Sequence, residues 1–253
     1  MNPNPNTDKG LSRGDKTYFL LSGVAIFTVL LWNLPLVGWL QYPFMLLGTW
    51  FHEMGHGITA WLVGASFEEL LIFANGSGLA VITGRELWVP ESLGRVMISL
   101  GGLLGPALAG GALIISGRQK SWSRIALILL ASVMTVSMIF LVRTFWGILI
   151  LSLIVLMLGW AVWKGSRRTQ QILVQYLGLQ ASLSTFLQIG YLFTEKVVVG
   201  GEELLSDTAS IASHSFGNYA LWGAMVSVLT LGMIWLSFRL ATRERLWIER
   251  KSS

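Results

Sequence analysis

The sequence predicts an all-α membrane protein, a bundle of six or seven transmembrane helices with a small β-hairpin placed directly after the second, motif-bearing helix. Three observations predict it. Apolar runs long enough to cross a bilayer, about 20 residues each, recur at 17–40, 42–64, 96–116, 125–142, 144–163, 172–193 and 219–238. Hydrophobic residues make up 53% of the 253-residue chain and charged residues 12%, with a mean hydropathy of +0.64, a balance that a water-soluble single domain would struggle to keep in solution. Finally, the only strand-like region of the chain, apolar-rich runs split by a Gly-rich turn, lies between the second and third segments, where a hairpin fits better than a helix.

Residues 1–16 read as a disordered polar tail. Their Asn- and Pro-rich start lacks the basic, then apolar, then small-residue order of a cleaved signal peptide. A single polytopic domain over 17–240 follows, and 241–253 form a basic C-terminal tail. Asn33 and Pro35 sit near the end of the first run, so a broken or re-entrant helix is possible there. The second run has no proline or breaker cluster around its polar motif, so it stays helical through it. After it, Glu68 to Ala74 and Leu79 to Thr83 flank Asn75-Gly76-Ser77-Gly78, the hairpin signal. Such a hairpin either offers an edge to an extended peptide or is a plain surface connector.

In the third run, Gly101 and Gly105, then Ala107 and Gly111, have the small-xxx-small spacing that lets membrane helices approach closely. This is packing and carries no chemistry. The sixth run is the reason the helix count is six or seven. Gln175, Gln180, Ser182, Ser184, Thr185 and Gln188 make one face polar, and that face must look into the bundle or a water-filled cavity because lipid cannot satisfy it.

The net charge of +5 comes largely from Lys/Arg clusters at segment ends, which fits membrane orientation and argues against a nucleic-acid partner. Arg118-Lys120-Arg124, Lys164-Arg167-Arg168 and Arg239-Arg243-Arg245-Arg250-Lys251 lie two segments apart, so all three can be cytoplasmic. The linker with Glu195, Glu202, Glu203 and Asp207 then faces the other side. Lys9-Arg13-Lys16 breaks this parity; either the first run does not fully span or the tail is an exception. Most of the twelve tryptophans fall near segment ends, as interfacial aromatics do. With no cysteine, any metal must be held by nitrogen and oxygen ligands.

Chemistry is concentrated in His52-Glu53-Met54-Gly55-His56. Ionisable side chains at membrane depth are costly and mark function by default. On a helix, positions i and i+4 share a face, so both imidazoles can reach one Zn²⁺. Glu53 then lies where it can take a proton from a water activated beside the ion. The alternative is a histidine pair hydrogen-bonded to a glutamate to hold helices together. The motif reads instead as a zinc metalloprotease working within the bilayer.

A catalytic zinc usually has three protein ligands. Outside the amino-terminal region only Asp207 among the aspartates, and His214 among the histidines, remain to supply the third. Asp207 also suits a helix N-cap. His214 could be an outer partner of the site, a ligand or simply exposed.

Phe51-His52-Glu53-Met54-Gly55-His56-Gly57, the Asn75-Gly76-Ser77-Gly78 turn, Gly-Gly-x-x-Gly-Pro at 101–106 and the late Ser206-Asp207 together resemble the site-2 protease family of intramembrane zinc metalloproteases. They are most similar to its short branch without a PDZ domain, over residues 42–238. The resemblance implies a Zn²⁺ cofactor, His52 and His56 as ligands, Glu53 as general base and Asp207 as the counterpart of the family's distal aspartate. It also implies a membrane-protein substrate. The chain departs from the family's Leu-Asp-Gly setting, since Thr208 follows Asp207. The competing function is a catalytically silent membrane scaffold or metal-binding protein with the same fold. A transporter would call for paired broken helices and an internal repeat, and no repeat is present.

Overall fold

The computed structural model describes residues 13–32, 38–84, 87–187 and 189–242. Most of the expected polar tail, the Asn33–Pro35 break, Gln188 and the basic tail beyond residue 242 lie outside the described residues. In chain order the elements are α1 (Arg13–Trp32), α2 (Gly38–Leu62), β1 (Ser66–Ile72), β2 (Gly78–Thr83), α3 (Glu91–Ser116), α4 (Lys120–Phe140), α5 (Phe145–Lys164), α6 (Arg167–Leu187), the single turn α7 (Ile189–Leu192), β3 (Lys196–Val199), β4 (Glu202–Leu205), α8 (Asp207–His214) and α9 (Tyr219–Thr242).

The protein is a multi-pass membrane protein. Among the described residues, four helices are both long and apolar enough to cross a bilayer: α3, α4, α5 and α9. The expectation of six or seven is therefore met only in part. The helices α2 and α6 have the length, but buried polar side chains such as Gln41, Glu53, Gln170 and Gln180 dilute their apolar character. The outer faces of α4, α5 and α9 expose Ile128, Val136, Ile139, Leu153, Leu156, Val228 and Leu231, an apolar surface suited to hydrocarbon. Trp122 and Trp146 in first turns, and Trp163 in a last turn, are exposed near helix ends as interfacial aromatics are.

The small residues of α3 place it at the centre. A Cβ on Gly55 of α2 would lie 2.2 Å from the Gly101 carbonyl oxygen, so the α2 and α3 backbones nearly touch. One on Gly110 would lie 2.3 Å from Ser182 Oγ of α6, and one on Gly111 2.4 Å from Ser237 Oγ of α9. Three neighbours thus close onto one helix because side chains are missing where they meet. The largest apolar cluster joins α2 (Leu46, Leu47, Trp50) to β1, α4, α5 and α6 through Leu70, Met134, Leu151 and Leu177. Within it, Trp50 Nε1 donates to Ser137 Oγ at 3.0 Å, so the indole leaves no unpaired donor.

The polar face expected on α6 does look inward. Gln170, Gln180, Ser182 and Ser184 are all buried. Gln170 Nε2 donates to the Ala161 and Val162 carbonyls that end α5, and Gln180 Nε2 to Tyr176 Oη.

The expected hairpin is antiparallel β1–β2, with register Leu70↔Ala80 and Ile72↔Gly78 and an irregularity between Phe67 and Glu69. Its turn is fastened to α2, with Tyr42 Oη donating to the Ala74 carbonyl and Thr49 Oγ1 to the Gly76 carbonyl at 2.6 Å. The outer edge of β1 is occupied by the α4–α5 connection. Leu70 N–H donates to the Leu141 carbonyl, Arg143 N–H to the Leu70 carbonyl, and Ile72 N–H to Thr144 Oγ1. Leu70 spends its backbone groups outward, so its partner Ala80 must point its own away from β1 as well. Gly78 and Ile82 share that parity. The edge of the sheet with no strand beside it is therefore β2, and the Ala80 N–H on that edge faces Glu53 of α2.

The expectation that this was the sole strand-like region needs correction. A second antiparallel hairpin, β3–β4, pairs Val199 with Glu202 across Gly200 and Gly201, both with positive φ (61° and 92°). That conformation suits a two-residue hairpin turn and favours glycine.

Candidate metal centre

The site is built from α2, α3, β2 and the segment running from α7 to α8. Helical spacing puts His52 and His56 on one face of α2, with their Nε2 atoms 3.0 Å apart. His56 is 8% exposed, and its Nδ1 lies 2.8 Å from the Ile98 carbonyl of α3. A carbonyl can only accept, so Nδ1 carries the hydrogen and Nε2 is the ring nitrogen turned toward the cluster. The ring fits there because residue 102 is glycine: a Cβ on Gly102 would lie 2.2 Å from His56 Nε2.

Asp207 arrives from the far end of the chain. Its Oδ2 lies 3.0 Å from His52 Nε2 and 3.3 Å from His56 Nε2. The N-cap of α8 is not Asp207 but Ser206, whose Oγ accepts from Ala209 N–H. Asp207 occupies the first helical position and its carboxylate is left to face the imidazoles. The strands before it are closed at their base by cross-bonds: Ser206 N–H to the Glu195 carbonyl, Ser206 Oγ to the Thr194 carbonyl and Thr208 Oγ1 to the Leu192 carbonyl.

His52, His56 and Asp207 form a group that could hold a metal ion. Two independent observations fit one. The three facing atoms are 3.0–3.3 Å apart, close to the ~3.3 Å edge of a tetrahedron with bonds of about 2.0–2.1 Å. Moreover, with Nδ1 committed to the Ile98 carbonyl, the nitrogen His56 has left for an ion is Nε2, and an imidazole nitrogen beside a carboxylate oxygen is a donor set that suits Zn²⁺.

Glu53 is 5% exposed, and the backbone N–H of Ala80 on β2 faces its carboxylate. It lines a cavity of about 330 Å³ together with His52, Thr49, Gly78, Ser184 and Tyr191, with Val197, Val198 and Val199 of β3 forming another wall. His214 sits at the other end of α8, half-buried, with Nδ1 2.8 Å from the Ser210 carbonyl, and is not in the cluster. Asn75 shapes the hairpin turn by accepting from Ser77 N–H. Sequence reasoning passed over Tyr191, Ala80 and the β3 valines. The only available signal was a β-branched run ending in Gly-Gly, which marks a hairpin close to Asp207.

A protein-family model described as Peptidase M50B-like matches residues 20–237. No curated protein and no solved structure matches the chain.

Proposed function

The chain belongs to the Peptidase M50B-like family, the site-2 proteases, and from that membership we propose that it is an intramembrane zinc-dependent endopeptidase that hydrolyses peptide bonds of membrane proteins. The observation that carries the reading is the convergence of Asp207 Oδ2 on the two imidazoles of α2, within 3.3 Å, beside a cavity walled by Glu53. His52, His56 and Asp207 would hold the ion. Zinc bound there supplies Lewis-acid polarisation of a carbonyl and a lowered pKa for water.

The protein's own groups do the rest. Glu53 takes a proton from the attacking water as its oxygen adds to the scissile carbonyl carbon. It then returns that proton to the amine nitrogen as the C–N bond breaks, giving a carboxylic acid and an amine, and the acid's remaining proton passes to the amine to leave a carboxylate and an ammonium group. Helices and the β3 valines screen the cavity, so charge developing on the carbonyl oxygen is poorly screened by bulk water and responds strongly to nearby positive charge. An extended substrate pairs with the free edge of β2, which brings its backbone alongside Glu53.

Glu53→Gln should lower cleavage of a membrane substrate by at least about 100-fold while zinc content stays at the wild-type level, because the base is not a ligand. A variant cleaving at the wild-type rate overturns the mechanism. The catalytically silent alternative gains nothing from an intact glutamate in this position; it predicts that the wild type itself cleaves nothing while still binding metal.

Strand pairing has its own test in Ile82→Pro, which deletes an outward-facing N–H without touching Glu53. Cleavage should fall about 2- to 10-fold, the worth of one hydrogen bond, with zinc retained. Unchanged cleavage would make the hairpin a connector.

A further inference from the structure

Tyr191 is the one side chain of the cavity wall that is bonded to a candidate ligand and has no part in the chemistry above. Its Oη donates to Asp207 Oδ2 at 2.8 Å, and the same oxygen accepts the Asp207 backbone N–H at 3.2 Å. A phenol has one hydrogen. With Asp207 N–H pointing at the oxygen, that hydrogen is directed to the carboxylate, so the pair of bonds fixes both the phenol and the carboxylate. The oxygen it holds is the one facing His52 and His56. The Tyr191 ring also stands edge-on to His52, with centroids 5.9 Å apart.

The first N–H groups of a helix have no intrahelical acceptor. Tyr191 satisfies the one at Asp207 and so anchors the start of α8 from outside that helix. Ser206 and Thr208 on either side bond to the Thr194 and Leu192 carbonyls. Those neighbours hold the backbone of the segment, whereas Tyr191 alone reaches the carboxylate.

We infer that Tyr191 is a positioning residue for the metal centre: its hydroxyl sets the rotamer of Asp207 so that one carboxylate oxygen meets both imidazoles before any ion arrives. Carboxylate ligands are themselves held by hydrogen bonds, and loss of such an outer partner typically costs 10- to 100-fold in metal affinity. The inference rests on the zinc reading proposed above.

The test is Zn²⁺ affinity by competition with a chelating dye, on full-length protein in detergent micelles, for the wild type, Tyr191→Phe, Thr208→Val, Asp207→Ala and the Tyr191→Phe/Asp207→Ala double variant. Tyr191→Phe keeps the ring against His52 and removes only the hydroxyl. It should weaken Zn²⁺ binding about 10- to 100-fold. Thr208→Val, which loses a backbone stitch of the same segment, should change affinity far less. In the Asp207→Ala background the tyrosine change should add nothing, because the carboxylate it acts through is gone. Equal losses for Tyr191→Phe and Thr208→Val, or a full tyrosine effect without Asp207, would overturn the positioning role. Wild-type binding with an unchanged Tyr191→Phe variant would overturn it while leaving the zinc reading intact. A wild type that binds no Zn²⁺ would overturn both.

Discussion

The two halves of the candidate metal centre are held by different means. His52, Glu53 and His56 ride on one 25-residue helix whose neighbours Trp50, Phe51 and Met54 are buried, and whose contact with α3 is backbone against backbone at Gly55 and Gly101. Asp207 rides on an eight-residue helix that follows an exposed hairpin; the start of that helix is held by hydrogen bonds to residues 191–195, and farther along Ile211 is buried among Leu103, Leu192, Trp222 and Val226. Close packing around α2 fixes its geometry, and one lost contact there is shared among many. At the start of α8, where Asp207 sits, hydrogen bonds and not backbone-to-backbone packing do the positioning, so each bond carries a larger share. The candidate ligand set is thus positioned two-thirds by close packing and one-third by hydrogen bonds.

Three measurements bear on that contrast. The largest effect should come from His56→Ala, which removes a ligand and vacates the buried space against Gly102 and Ile98. Zn²⁺ affinity should fall by more than the ~100-fold ceiling for an outer partner, while far-ultraviolet circular dichroism keeps its helical signal. Asp207→Ala should also weaken Zn²⁺ binding, but less, because the two imidazoles stay in place on α2. If Asp207→Ala proves the more damaging, the rigid half is not the dominant one and the contrast fails.

The smallest effect belongs to Ser206→Ala, which takes away the α8 N-cap and the bond to the Thr194 carbonyl. Stability should drop by about 0.5–2 kcal/mol, with Zn²⁺ affinity falling less than in Tyr191→Phe. A Ser206→Ala protein that loses zinc as completely as Asp207→Ala would mean that the helix start, and not the tyrosine, sets the carboxylate.

The same contrast explains what could be read from the chain. The histidine pair was legible because i, i+4 spacing on a helix is a local rule, and the first hairpin because Asn75-Gly76-Ser77-Gly78 is a local turn signal. Crowding of helices at Gly101, Gly105, Gly110 and Gly111 was legible as packing, although which neighbour meets which glycine was not. Asp207 was singled out by the scarcity of aspartates and by resemblance; its path to the imidazoles runs through cross-bonds that no spacing encodes. The second hairpin carried a signal in Val197-Val198-Val199-Gly200-Gly201, masked by the charges around it. Break points between helices were the least legible, because apolar runs continue through them. The first run extends to residue 40, whereas α2 already begins at Gly38.

The occupied outer edge of β1 also sets a valency. A two-stranded ribbon with both edges open could recruit chains from either side and, by repetition, grow into an assembly of like strands. Here the Leu141–Thr144 connection fills one side, so strand pairing of the kind proposed for a substrate is confined to the β2 side. On the proposed reading a substrate would pair there one chain at a time, on the side that faces Glu53.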